Sequence, residues 1–185
     1  MNFVIWKGFR LIASSLLPLG KDSLIYGSND AGLTVHRDNA DFNEMIDNAS
    51  KRLNLRPHLC GTGKNPVLMA SAIDLEGHKG KDGRFYLLDF SRVFPCEKPS
   101  PKYLCGHLYR MLRPEFVNTY GTPLCSDSYS NFLYNKEEAN QCNHDVDVAT
   151  NNLRTITLTF FANQLVQQLE TELKGTKKNF ECKSF

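Results

Sequence analysis

At 185 residues the chain has the length of one globular domain. Hydrophobic residues make up 41% and charged residues 23%, a balance that excludes an intrinsically disordered chain. The formal net charge of +2 is too small to indicate a dedicated binder of duplex nucleic acid, which carries a concentrated basic stripe. The most basic segment, residues 176–185, is predicted to be a solvated tail.

The cysteines argue against both a zinc site and secretion. Six cysteines contain no Cys-x-x-Cys pair, and no spacing with the five histidines brings four ligands together, so the sequence predicts no metal and no cofactor. A signal-peptide alternative rests on Lys7 and Arg10 before the apolar run 11–19, but no Ala-x-Ala cleavage site follows. No run approaches the roughly 18 apolar residues that a membrane span needs. We therefore expect a cytoplasmic protein with reduced thiols and no membrane insertion.

The first predicted elements are an apolar segment and, after it, a hairpin. Residues 3–17 are apolar, and their periodicity does not separate helix from strand. Residues 24–27 and 33–36 are expected to pair as a hairpin around the turn residues 28–32.

A helix is predicted next. Asn39 or Asp41 would cap its N-terminus, and it would end before Pro57. Helical spacing places an apolar stripe along one face, formed by Phe42, Met45, Ile46, Ala49 and Leu53.

A second hairpin is predicted from strands at residues 67–75 and 84–90, joined by the Lys-Asp-Gly turn at 81–83. A short helix at 104–112 and a turn-rich, flexible loop at 118–145 follow. The last element is a long helix at 147–174 that Gly175 would end.

The order of these elements predicts an α+β fold, a single domain with two β-hairpins, a middle helix and a long C-terminal helix. Leu158, Phe161, Leu165, Leu169 and Leu173 share one face of the last helix. We expect this face to pack on the core; the alternative is a groove in a partner.

Charged side chains concentrate around the second hairpin. Asp89 comes near the end of an apolar strand, where a carboxylate must be paired, and Arg84 and Arg92 are its nearest candidates. The favoured interpretation is an ion-pair network that holds the turn, and the alternative is a binding site for a charged group of a partner. The members are Asp74, Glu76, His78, Asp82, Arg84, Asp89 and Arg92.

Two segments resemble motifs of nucleotide-dependent enzymes but lack the features that those motifs need. Residues 36–43 satisfy the spacing of a protein-kinase catalytic loop, but too few residues precede them for a nucleotide lobe and no glycine-rich loop lies upstream. Residues 61–64 look like a phosphate-binding loop, but position 58 is His and position 65 is Asn, where a P-loop needs Gly and Ser or Thr.

Three blocks of sequence carry a resemblance. The first is Trp-Lys-Gly-Phe-Arg at 6–10, with its continuation to Gly32, and the last is Leu-Arg-Pro-Glu-Phe-Val at 112–117. The middle block is formed by Gly80, Asp82, Arg84, Tyr86, Leu87, Leu88, Asp89, Arg92 and Pro95. In this order, across residues 6–117, the blocks resemble the Clu (clustered mitochondria) domain family, as a short or partial domain without the tetratricopeptide-repeat region. We expect the domain to span residues 1–175.

The resemblance implies a function that composition does not. It implies a cytoplasmic, non-enzymatic scaffold or protein-interaction module in mitochondrial distribution or in complexes with messenger RNA. Protein partners are expected, whereas RNA binding has little support from the modest charge. The alternative is a metal- or nucleotide-dependent enzyme that uses the acidic cluster at residues 74–92.

Overall fold

The computed structural model describes the backbone of residues 2–181 and the side chains of residues 2–174. The chain begins with a hairpin, β1 (Asn2–Trp6) and β2 (Phe9–Ala13), whose strands pair antiparallel with Trp6 opposite Phe9. Lys7 and Gly8 have φ values of 46° and 84°, the left-handed conformation that a two-residue hairpin turn requires. Residues 3–17, which the periodicity left as either helix or strand, therefore form a pair of strands as far as residue 13.

The central sheet has four antiparallel strands in the order β4-β3-β7-β8. The predicted first hairpin is confirmed, with a return strand of only two residues that pairs Tyr26 with Arg37. In chain order the strands are β3 (Leu24–Gly27), β4 (His36–Arg37), β5 (His58–Cys60), β6 (Val67–Met69), β7 (Glu76–Lys79) and β8 (Phe85–Leu88).

The prediction of one strand over residues 67–75 is wrong. Its first part is β6, which pairs with β5 instead of β8, and the strand that pairs with β8 begins only at Glu76. Residues between them form no strand because their backbone groups bind elsewhere: the Ile73 amide donates to the Asp127 carboxylate, and the Ile73 carbonyl accepts from the Ser28 amide. The second strand ends at Leu88, where Asp89 takes a left-handed φ of 54°.

The middle helix α1 (Ala40–Arg52) agrees with its prediction, and Asn39 is the cap. The Asn39 side chain accepts the Phe42 amide at 2.9 Å. Phe42 and Ile46 are buried against the sheet, with the Phe42 ring edge-on to Phe85 at 5.3 Å. Met45 is 49% exposed and does not belong to the buried face.

The apolar core consists of two clusters. One lies between α1 and the sheets and is formed by Tyr26, Phe42, Ile46, Cys60, Met69, Ala70 and Ile73. The other surrounds α2 (Pro114–Thr119) and is formed by Leu55, Leu112, Phe116, Val117, Leu124 and Ala149. The helix predicted at 104–112 is only a 3₁₀ turn at Gly106–Leu108, because Cys105 and Arg110 beside it have positive φ values.

The C-terminal helix begins earlier than predicted. Helix α3 (Lys136–Asn152) starts where Asn135 accepts the Glu138 amide at 2.6 Å, so residues 136–145 are helical and do not belong to a loop. A π-helical turn at Leu153–Thr157 leads directly into α4 (Leu158–Glu181), and Gly175 does not end the helix. The predicted tail at 176–185 is thus helical to Glu181, and its last four residues lie outside the described residues.

The prediction that the apolar face at residues 158–173 packs on the core is wrong, and α3 packs there instead. Cys142, Val146 and Ala149 of α3 are fully buried. The residues of the predicted face are each at least 44% exposed, and they are Leu158, Phe161, Leu165, Leu169 and Leu173. Among the described residues, no helix is long and apolar enough to cross a membrane. The α+β fold class and the long C-terminal helix are confirmed.

Candidate functional site

Two of the seven predicted charged residues meet in the interior. The Arg92 side chain is only 7% exposed, and its Nε donates to Asp74 Oδ2 at 2.6 Å. Its Nη2 donates to Asp127 Oδ1 at 2.9 Å, a partner that the sequence did not indicate. The second Asp74 oxygen is buried with no protein partner among the described residues.

The other members form separate local pairs. His78 Nε2 lies 3.1 Å from Glu76 Oε2, within β7. On the β7–β8 turn Asp82 accepts the Tyr86 hydroxyl at 2.7 Å, and this hydrogen bond lowers the pKa of the Asp82 carboxyl. Arg84 is 82% exposed and approaches Asp82 only to 3.9 Å.

Asp89 does not pair with an arginine as the sequence led us to expect. Its carboxylate is exposed and accepts the Ser91 hydroxyl at 2.7 Å, and Arg92 turns inward to Asp74 and Asp127. The seven side chains therefore share no common centre, and the geometry gives the enzyme hypothesis for residues 74–92 no single site.

The strongest concentration of polar chemistry surrounds Asp127, which is fully buried in the loop between α2 and α3. Its Oδ2 accepts from His58 Nε2 at 2.9 Å, from the Ile73 amide at 2.9 Å and from Cys60 Sγ at 3.4 Å. Its Oδ1 accepts from Arg92. These partners are 35 to 69 positions away in sequence, so no local motif could have revealed the group.

The hydrogen bonds of His58 define its charge. Its Nδ1 lies 2.9 Å from the Arg56 carbonyl oxygen, which can only accept, so Nδ1 carries a proton. Its Nε2 faces a carboxylate and donates as well, which makes the ring an imidazolium. Burial opposes this charge, but the hydrogen bond and the attraction from Asp127 outweigh it and raise the pKa of His58.

The pKa of the Asp127 carboxyl shifts in the opposite direction. Burial favours its neutral form, yet the hydrogen bond from His58 and the positive charges of His58 and Arg92 lower the pKa of its carboxyl. Two cations, His58 and Arg92, thus face two carboxylates, Asp74 and Asp127, and the buried group is neutral as a whole. Buried charges persist only when they are paired in this way.

The Cys60 thiol is not activated as a nucleophile by this group. Burial, together with the neighbouring Asp127 charge, raises the pKa of Cys60 far above that of a free thiol. Cys125 and Cys142 are also buried. Three of these side chains nevertheless offer ligand atoms that lie within 4.8 Å of one another, and so have the chemistry to hold a metal ion: His58, Cys60 and Asp127.

A wide surface groove of about 990 Å³ lies along the segment after β8. Arg110 and Arg154 both pair with the same carboxylate, Glu97, at 3.3 and 2.8 Å. Tyr103 and Tyr109 line the groove and are exposed by 70% and 63%. The groove is therefore cationic and aromatic.

Comparison with known proteins gives the family. The family model described as "Clustered mitochondria" matches residues 1–98, more than half of the chain. The chain belongs to the clustered mitochondria family. The matched part contains the β1–β2 hairpin, the central sheet and Arg92, whereas Asp127 lies beyond it.

Relatives within the family are about one-third identical to this chain over the aligned residues. A clustered mitochondria protein homolog from Brugia malayi is 33% identical over 112 residues, 56% of this chain and 7% of that protein. One from Culex quinquefasciatus is 33% identical over 96 residues, 49% of this chain and 7% of that protein. Protein clueless from Drosophila virilis is 34% identical over 96 residues, 49% of this chain and 6% of that protein. The match thus covers a small fraction of these relatives, and no solved structure matches the chain.

Proposed function

We propose that this chain is a protein-interaction module that takes part in the distribution of mitochondria, in the cytoplasm, without catalysis of its own. Membership of the clustered mitochondria family supports the cellular context, since the relatives are named for it. The partner is a protein that presents an apolar surface to the hairpin β1–β2.

The observation that carries this proposal is the exposure of the hairpin. An isolated two-stranded hairpin is marginally stable in water and needs packing on one face. Here large apolar side chains are exposed on both faces, a pattern that marks an interaction site. They are Phe3, Val4, Ile5, Trp6, Phe9, Leu11 and Ile12, each at least 40% exposed.

The distribution of reactive groups also favours binding over catalysis. The charged groups with perturbed pKa values in the core, His58, Arg92 and Asp127, face one another and are nearly closed off from solvent. The charged residues at the surface of the β7–β8 hairpin form local pairs. Neither arrangement leaves a general acid or base beside a pocket for a substrate.

RNA is a second candidate partner, and the groove beside Glu97 is the feature that favours it. Two guanidinium groups share one carboxylate there, and two exposed tyrosines offer faces for base stacking. Binding of a single-stranded RNA at this groove would weaken steeply as salt increases, because counterions are released from the phosphates.

A chimera tests the proposed function. Residues 1–98 of this chain would replace the matching segment of Protein clueless in cells that lack that protein, and mitochondrial distribution would be imaged. We expect the chimera to restore a dispersed distribution, and Trp6→Ser with Phe9→Ser to abolish that rescue because the variant removes apolar contact area.

Arg84→Ala is the matched control, since Arg84 is also exposed on a hairpin but is not apolar. It should rescue as well as the unchanged segment. Equal rescue by the Trp6→Ser, Phe9→Ser chimera, at equal protein level, would refute the role of the hairpin. Failure of the unchanged chimera at normal protein level would refute the cellular role itself.

A further inference from the structure

We propose that His58, Cys60 and Asp127 form a zinc-binding site in the core of this protein. His58 and Cys60 are two residues apart on β5, so their side chains extend from the same face of the strand. Asp127 reaches the same point from the loop after α2. All three side chains are fully buried or nearly so, and their ligand atoms converge within 4.8 Å.

Two of the three separations between the ligand atoms are close to those around a tetrahedral ion. Zinc bonds of about 2.0–2.2 Å to nitrogen and oxygen and about 2.3 Å to sulfur place the nitrogen and oxygen ligands about 3.3 Å apart and the sulfur and oxygen ligands about 3.5 Å apart. The structure has 2.9 Å between His58 Nε2 and Asp127 Oδ2, and 3.4 Å between Cys60 Sγ and Asp127 Oδ2. Binding of the ion therefore requires these ligand atoms to move apart by at most a few tenths of an ångström.

The surroundings of these ligands are those of a metal centre. Histidines that bind zinc through one ring nitrogen donate the other ring N–H to a carbonyl or carboxylate, and His58 Nδ1 does so to the Arg56 carbonyl oxygen. Ligand carboxylates are likewise held by outer hydrogen bonds. Arg92 and the Ile73 amide hold Asp127 in this manner.

Charge balance permits the exchange of protons for the ion. Zinc binds a neutral imidazole, a thiolate and a carboxylate, so binding releases one proton from His58 Nε2 and one from Cys60 Sγ. Two positive charges leave and two enter, and the pairing of Arg92 with Asp74 and Asp127 is unaffected. The buried group stays neutral.

The ligand types select the ion. Thiolate and imidazole together favour zinc over magnesium or calcium, which take oxygen ligands.

Cobalt substitution tests the site without depending on a variant. The full chain would be stripped of metal with a chelator, shown to be folded by circular dichroism, and titrated with Co²⁺. We expect one equivalent of Co²⁺ to produce a thiolate charge-transfer band and the strong visible bands of tetrahedral cobalt, and Zn²⁺ to remove them. A folded chain that shows neither band would overturn the proposal.

Variants locate the ion. Cys60→Ser and His58→Gln should lose the cobalt bands and the rise in unfolding temperature on adding Zn²⁺. Cys105→Ser is the matched control, because Cys105 is an exposed free cysteine, and it should keep both signals. If Cys60→Ser keeps the bands, or if Cys105→Ser loses them, the ion binds elsewhere and the proposal is wrong.

Discussion

At the scale of single residues, Asp127 connects parts of the chain that are distant in sequence. It accepts hydrogen bonds from β5, from the segment before β7 and from Arg92, which follows β8. Arg92 lies in the part that matches the family model, and Asp127 lies outside it. This pair therefore joins the matched part to the rest of the domain.

We predict that Asp127→Asn destabilises the metal-free protein by about 3–5 kcal/mol, because the neutral amide leaves the buried His58 cation without a carboxylate and Arg92 with Asp74 alone. Urea denaturation would measure the loss. Asp38→Asn is the control: Asp38 also pairs with a histidine, His36, at 2.7 Å, but its side chain is 64% exposed. The control should change stability by less than about 0.5 kcal/mol. Equal losses in the two variants would contradict this account.

Burial also makes the reactivity of cysteines unequal. It raises the pKa of Cys96 to about 11, whereas Cys105 is exposed. We predict that iodoacetamide at pH 8 alkylates Cys105 in the folded protein and Cys96 only after urea is added, as peptide mass spectrometry would show.

The same shift predicts how stability depends on pH. The Cys96 thiol ionises near its ordinary pKa of 9.0 in the unfolded chain but only near 11 in the folded one. Above pH 9 the unfolded chain therefore binds fewer protons than the folded one. The contribution of the Cys96 thiol to the free energy of unfolding then falls as the pH rises. The decrease in stability above pH 9 should be smaller in Cys96→Ala. Alkylation of Cys96 in the folded protein at pH 8 would contradict both the predicted protection of this thiol and the predicted pH dependence.

At the scale of elements, α1 and the central sheet meet at a glycine. A Cβ atom at Gly77 of β7 would lie 2.3 Å from the Phe42 ring and 2.9 Å from Tyr26 Cβ, closer than packed atoms can approach. The missing side chain is therefore what allows the Phe42 ring to pack directly against β7. By contrast, a Cβ atom at Gly121 would meet nothing within 4 Å.

We predict that Gly77→Ala lowers the free energy of unfolding by about 1–3 kcal/mol, the usual cost of overpacking a core. Gly121→Ala carries the same chemical change into open space and should stay within about 0.5 kcal/mol. Urea midpoints of the two variants would decide. A tolerated Gly77→Ala would mean that α1 can shift away from the sheet without loss.

At the scale of the whole molecule, two buried clusters form the folded body, and the N-terminal hairpin lies outside both. Residues 2–16 are all exposed, so they add little to the stability of the isolated chain. We predict that deleting residues 2–15 leaves the urea midpoint and slope almost unchanged, because the slope follows the surface that unfolding exposes.

Leu124→Ala is the contrasting variant for this deletion. Leu124 is fully buried in the second cluster, and its truncation should cost about 2–5 kcal/mol. If deleting the hairpin costs as much as Leu124→Ala, the hairpin is part of the folding unit, and its apolar residues are not simply a surface for partners.

Features that depend on local chemistry were predicted correctly from the sequence. A cap at Asn39 and apolar spacing predicted α1, and Lys-Asp-Gly before Arg84 predicted the turn between β7 and β8. These succeed because hydrogen bonds within a few residues and the conformational freedom of glycine act without the rest of the fold. The family resemblance rested on contiguous blocks of the same kind.

Contacts between groups that are distant in sequence depend on the whole fold. Residues 67–75 have the composition of a strand, but amide partners from other segments divide them between β6 and an irregular segment. The apolar stripe of α4 suggested core packing, but periodicity defines a face and not what covers it. His58 and Asp127 are 69 positions apart, and only the folding of β5 against the loop after α2 brings their opposite charges together, out of water, where each depends on the other.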